Sequence, residues 1–90
     1  MKTKWAFEIM PVAKRDLKRF SRPIQVDILA KVVSLAGDPL DSPQVKKLKG
    51  SPDRFRLRVG DYRIIYRLDE KARLVLVERI RHRREAYRGL

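Results

Sequence analysis

Residues 54–68 read Arg-Phe-Arg-Leu-Arg-Val-Gly-Asp-Tyr-Arg-Ile-Ile-Tyr-Arg-Leu. Phe55, Leu57 and Val59 alternate with Arg54, Arg56 and Arg58, the two-residue period of a strand with one dry face and one wet face. Gly60-Asp61 is a turn signal, and Tyr62 to Leu68 is a second apolar run. Asp69-Glu70-Lys71-Ala72 turns the chain again. Arg73 to Ile80 forms a third strand whose centre, Leu74 to Val77, is apolar on both sides, as in a middle strand. The C-terminal half therefore reads as a three-stranded antiparallel meander.

Working back from residue 54, the stretch 37–53 is rich in loop formers, with Pro39, Pro43, Gly50 and Pro52 around a short basic segment, Val45-Lys46-Lys47-Leu48-Lys49. Before it, Ile24, Ile28, Val32 and Leu35 recur at helical spacing, flanked by Leu29 and Val33 and stopped by Gly37-Asp38-Pro39. An earlier stripe, Ala13, Leu17, Phe20 and Ile24, marks another helix with Pro11 near its start and a break at Ser21-Arg22-Pro23. Trp5 to Ile9 has the alternation of a strand. The expected fold is α+β: an N-terminal strand, then a two-helix antiparallel hairpin packed on one face of a mainly antiparallel sheet that ends in the meander. Residues 1–90 form one domain.

Burial then assigns the faces. If Phe55, Leu57, Val59, Ile64, Tyr66 and Leu68 meet the helices, then Arg54, Arg56, Arg58, Arg63 and Arg67 face the other way. The third strand delivers Arg79, Arg81 and Arg83 near its end. A basic sheet surface is the expected feature.

The charge balance agrees. The chain carries 23 Lys and Arg against 11 Asp and Glu, a formal net charge of +12. Residues 46–90 hold 15 of those cations against 6 acids, so the excess lies in the meander half. A small fold cannot bury charges of one sign unpaired, so the excess makes an external positive field suited to a polyanion. With no cysteine and one histidine, His82, disulfide scaffolds, Cys-based zinc sites and His-rich metal sites are excluded. No apolar run is long enough to span a bilayer, and Met1 to Trp5 lacks a signal-peptide stretch. The expected location is the cytoplasm, without membrane association.

On the residues alone, converging arginines suit phosphate, which guanidinium binds bidentately, and Tyr87 suits stacking on a base. Lys14, Arg15, Lys18 and Arg19 on the first helix are either a solvated face or a docking patch for RNA. Lys46, Lys47, Lys49 and Arg54 extend the candidate RNA-binding set.

From Val45 to Tyr87 the sequence resembles the RelE/ParE toxin superfamily of type II toxin–antitoxin systems. The resemblance rests on Lys47-Leu48-Lys49-Gly50, Phe55-Arg56-Leu57-Arg58, Gly60-Asp61-Tyr62-Arg63-Ile64-Ile65-Tyr66 and His82-Arg83-Arg84-Glu85-Ala86-Tyr87. The His-Arg-Arg-x-x-Tyr ending and Arg-rich strand favour the RelE branch. That resemblance implies a metal-independent, cofactor-free endoribonuclease that cleaves translated mRNA in the ribosomal A site. It also implies an antitoxin partner in a hetero-oligomer.

The resemblance assigns Arg56 and Arg58 to the base role and phosphate contacts, Arg63 to phosphate stabilisation, and Tyr87 to stacking. The leaving-group role falls on Arg83, with Arg81 as the alternative in register. Arginine where relatives often have lysine is a departure, because a guanidinium does not yield its proton. Proton transfer then falls to ribosomal RNA or water, to Tyr87, or to His82, which otherwise is a bystander at the strand end. The competing readings are a ParE-like gyrase poison and a non-enzymatic basic nucleic-acid-binding module.

Overall fold

Pro11, Pro23 and Gly60 punctuate the chain where the sequence marks its breaks. A computed structural model of the protein describes residues 5–40 and 42–84. The elements are β1 (Ala6–Ile9), α1 (Pro11–Lys18), α2 (Arg22–Gly37), β2 (Val45–Lys47), β3 (Arg54–Val59), β4 (Tyr62–Asp69) and β5 (Leu74–His82). Pro11 and Pro23 occupy the first turns of their helices, where an absent N–H costs nothing. Neither helix has a side-chain cap at its N-terminus. Their stability comes instead from packing.

The five strands form one sheet in the order β1-β5-β4-β3-β2. β1 runs parallel to β5, and the other pairings are antiparallel. The meander gains a strand that the sequence reading left in a loop. Val45–Lys47 pairs with Leu57, Arg56 and Phe55 of β3, so the antiparallel part has four strands. β5 lies between β1 and β4, and Val75, Leu76 and Val77 are buried there.

Both helices pack on one sheet face, α1 against β5 and α2 beside β1. Ala13 and Leu17 of α1 and Ile28, Val32 and Leu35 of α2 close over Leu57, Ile64, Tyr66, Leu68, Val75, Val77 and Ile80. Phe55 and Val59 border the same core. α2 is apolar on its outer side too, with Val26, Leu29 and Val33 exposed at helical spacing.

Tyr66 crosses the core, fully buried, and its hydroxyl donates to the Pro39 carbonyl. That bond ties the segment after α2 to the sheet. Tyr66→Phe leaves the carbonyl without this partner and is expected to cost about 1–2 kcal/mol, read as a lower urea midpoint at unchanged m-value.

Alternation is interrupted once. Ile65 pairs with Arg79 but Tyr66 pairs with Val77, leaving Glu78 as the extra residue of a β-bulge. Without it, Val77, Arg79 and Arg81 would share the core face. With it, Ile80 enters the core and Arg81 moves to the open face. A one-residue slip exchanges the two faces of a strand.

Candidate functional site

Cross-strand register builds the basic face. Arg58 of β3 lies opposite Arg63 of β4, and Arg63 lies opposite Arg81 of β5. Three arginines thus form a row across adjacent strands. One row along, Lys46 of β2 lies opposite Arg56. Lys46, Arg56, Arg58 and Arg63 line a single open cleft of about 470 Å³, with Pro43, Gln44 and Gly60 completing its wall. No carboxylate is among those lining residues.

The turn that shapes this cleft needs glycine. Gly60 has φ +57, in the left-handed region, and opens the two-residue hairpin between Val59 and Tyr62, a position that favours Gly. Arg63 is anchored at the same turn. One of its terminal nitrogens donates to the carbonyls of Gly60 and Tyr62 at 3.1 and 3.0 Å. Arg63 faces away from the helices as expected, but it is only 5% exposed. Its guanidinium is therefore preorganised, whereas Arg58 is exposed.

The remaining sequence candidates separate. Arg54 is engaged by Glu78, its Nε donating at 2.8 Å, and Arg67 approaches the same carboxylate at 3.6 Å. Donating this hydrogen bond to the Glu78 carboxylate raises the Arg54 pKa further. Glu78 is the bulge residue, so the bulge both turns Arg81 outward and neutralises one end of the basic face. Lys47 lies opposite Phe55 and shares its helix-side parity; Lys49 follows β2 in a turn and is exposed. Lys14, Arg15, Lys18 and Arg19 are exposed on α1, in the helix layer on the far side of the sheet from the cleft.

Arg79, Arg81 and Arg83 do not act as one cluster. Arg79 donates through Nε to Asp16 of α1 at 2.9 Å, and the Ile80 amide donates to the same carboxylate oxygen at 3.0 Å. Arg83 sits at the β3–β4 turn, where its amide donates to the Asp61 carbonyl and its side chain lies 3.8 Å from the Asp61 carboxylate. Of the two alternatives in register, Arg81 is the one beside Arg63. His82 has the opposite parity. Its ring packs edge-on against Tyr62, with centroids 5.3 Å apart, and its Nδ1 accepts from the Arg84 amide at 3.3 Å. Those contacts are those of a strand-end residue on the helix side. Tyr87 lies outside the described residues.

Sequence reading missed what Lys46 and Gln44 do here. Lys46 entered it as a candidate RNA-binding residue of the basic segment, with no place beside Arg56; the signal available was a Val-Lys-Lys stretch short enough to be an edge strand. Among the described residues, no group of three or more His, Asp or Glu is placed to hold a metal ion, and no helix is long and apolar enough to cross a membrane.

Arginines directly opposite one another repel, and net charge of one sign destabilises a compact state. Thermal melting in increasing NaCl is expected to move upward as this repulsion is screened. A melting temperature that falls with salt would show that attractive ion pairs dominate.

A two-helix layer on a five-stranded mixed sheet is the architecture of the RelE-like toxins to which this chain is similar. The chain belongs to the family described as ParE toxin of type II toxin–antitoxin system, parDE, which it matches over residues 7–87. Among solved structures it is similar to a chain of the toxin–antitoxin complex RelBE2 from Mycobacterium tuberculosis. The two share 26% identity at a TM-score of 0.80, over 90% of this chain and all of that one. A chain of the archaeal RelE–RelB complex from Pyrococcus horikoshii matches at 24% identity and TM-score 0.78, over 90% of this chain and 97% of that one. The free toxin RelE of E. coli, in a mutant form, matches at 18% identity and TM-score 0.78, over 96% of this chain and 90% of that one. At such identities the latter two speak for the fold. No curated protein matches significantly.

Proposed function

We propose that this toxin is a ribosome-dependent endoribonuclease that cuts translated mRNA. The observation that carries the reading is the convergence of Lys46, Arg56, Arg58 and Arg63 on one cleft, with Arg81 next to Arg63 in register. Metal-free RNA cleavage needs little more than positioned cations and proton transfer. The 2′-hydroxyl oxygen forms a bond to the adjacent phosphorus, the bond to the 5′-oxygen breaks, and a 2′,3′-cyclic phosphate and a 5′-hydroxyl result. Charge builds on the phosphoryl oxygens in the transition state, where preorganised donors act most strongly. Arg63 and Arg58 hold those oxygens, Arg56 holds the neighbouring phosphate, and Arg81 stabilises the charge on the leaving oxygen, which takes its proton from water.

In this reading Lys46 supplies the base that the arginine positions lack. Lysine, unlike arginine, is a side chain that yields and accepts a proton, and β2 brings this one opposite Arg56. It takes the 2′-hydroxyl proton in this reading. The helix-layer cations dock the toxin on a large RNA surface. An antitoxin partner fits the same reading. Solved complexes similar to this chain pair RelE with RelB and YafQ with DinJ, and a net charge of +12 with an exposed α2 stripe suits an acidic chain that folds on binding.

The test is primer-extension mapping of cellular mRNA after induced expression. In-frame cuts within translated regions are expected, and Lys46→Arg is expected to lose them while keeping the fold and charge. The gyrase-poison reading is favoured by the family description. DNA damage with intact mRNA would establish it in place of this one.

A further inference from the structure

The cleft does not end at the arginine row. A second open groove, of about 700 Å³, shares three wall residues with it: Gln44, Arg58 and Gly60. From that shared wall it runs between the end of β3 and the C-terminal half of α2, past Lys31, Ser34 and Asp38. The two therefore adjoin at the β3–β4 turn, where a strand passing over Gly60 would follow one bent channel from Arg63 on the open face toward Lys31 on the helix side. We infer that the α2 arm of this channel is a subsite for the nucleotide flanking the cut, built to hold single-stranded RNA. This inference rests on the endoribonuclease reading.

Several features favour RNA in this arm. The substrate is a polymer, so a strand seated at Arg63 must continue on either side. Lys31 is exposed on α2, one position suited to a phosphate. The other groups are suited to a base. Among the described residues, Asp38 accepts from the Leu40 amide alone, through one oxygen at 3.4 Å, which leaves acceptor capacity for an exocyclic amino group. Gln44 is held in place by Ser42, whose hydroxyl donates to its side-chain oxygen at 3.0 Å and accepts from its amide at 3.3 Å. Its side-chain NH2 keeps two donors for a base carbonyl. Gly60 adds no side chain at the bend, so the strand passes close to the backbone there.

The test uses the full chain and a short single-stranded 2′-O-methyl RNA, which cannot be cut because its 2′-oxygens are blocked, carrying one 4-thiouridine. Photocrosslinks mapped by mass spectrometry are expected on the 31–44 segment as well as on β3 and β4. Lys31→Ala is expected to weaken binding several-fold and to lower the slope of log affinity against log salt by about 0.7, the loss of one phosphate contact on a single strand. Asp38→Asn is expected to change base preference at one flanking position while leaving the salt slope unchanged. Crosslinks confined to β3 and β4, with wild-type binding by Lys31→Ala, would overturn the subsite and leave the endoribonuclease reading standing. Failure to bind the free RNA would likewise overturn the subsite alone, because the proposed cleavage requires the ribosome, whereas binding untouched by Arg58→Ala would overturn both.

Discussion

Arg58→Ala is expected to lower mRNA cleavage by about 10²- to 10³-fold, the usual effect of removing one group that stabilises transition-state charge, and to raise the melting temperature slightly. The two signs come from one geometry. Arg58 is exposed and lies opposite Arg63, which itself lies opposite Arg81. In the free protein the three guanidinium groups repel; in the proposed reaction the same three would hold a phosphate. Removing the outermost cation relieves the repulsion without opening the core, so activity and stability move in opposite directions. Arg63 behaves differently, because its guanidinium also serves the Gly60 and Tyr62 carbonyls. Arg63→Ala is expected to lose both activity and stability. Growth-arrest assays paired with thermal melts on the two variants check this. An Arg58→Ala protein that remains fully toxic would remove Arg58 from the site.

Asp16→Ala is expected to destabilise the fold by about 3 kcal/mol, the lower range for breaking a buried ion pair, since Arg79 is partly exposed. A domain of this size has a total stability of roughly 5–13 kcal/mol, so a melting temperature lower by about 15 °C follows. Asp16 is 6% exposed and accepts from both Arg79 and the Ile80 amide. It thereby fastens α1 to β5. Burial alone would raise its carboxyl pKa. The Arg79 hydrogen bond, the Ile80 amide and the charges of Arg79 and Arg19 outweigh that and hold it below its ordinary 3.8. A carboxyl with a lowered folded pKa contributes stability that is complete above the unfolded value and is lost as pH falls through the folded one. Wild-type stability should therefore drop below about pH 4, and Asp16→Asn should flatten that drop. Chemical denaturation across pH 2–6 measures it. Equal acid sensitivity in both proteins would show that other carboxylates carry the transition.

Much of the architecture is legible in local pattern. Phe55, Leu57 and Val59 declare their face by alternation, Gly60-Asp61 declares its turn, and Pro23 and Gly37 bracket α2. These signals are local, and the structure keeps them. What is not local was harder to read. β2 is three residues long, too short for a period to register, so its pairing with β3 and the arrival of Lys46 opposite Arg56 come only from the sheet. The bulge at Glu78 has no mark in a run such as Val-Glu-Arg-Ile, yet it decides which of Arg79, Arg81 and Arg83 joins the row. Composition could count the arginines but could not say which are engaged. Arg54 is held by Glu78, 24 residues away, and Arg79 by Asp16, 63 residues away. The resemblance to RelE/ParE toxins carried the family and the candidate residues; register and burial sorted them into a cleft, a scaffold and a far-side patch.

The central claim is that the cleft cuts RNA and that the ribosome is required. The most direct measurement adds the purified chain to a translating extract and to the same mRNA without ribosomes, with the ends of each product identified. Cuts confined to translated mRNA, leaving 2′,3′-cyclic phosphate and 5′-hydroxyl ends, are the expected result. Intact mRNA in both reactions, with DNA gyrase supercoiling inhibited by the same preparation, would contradict it.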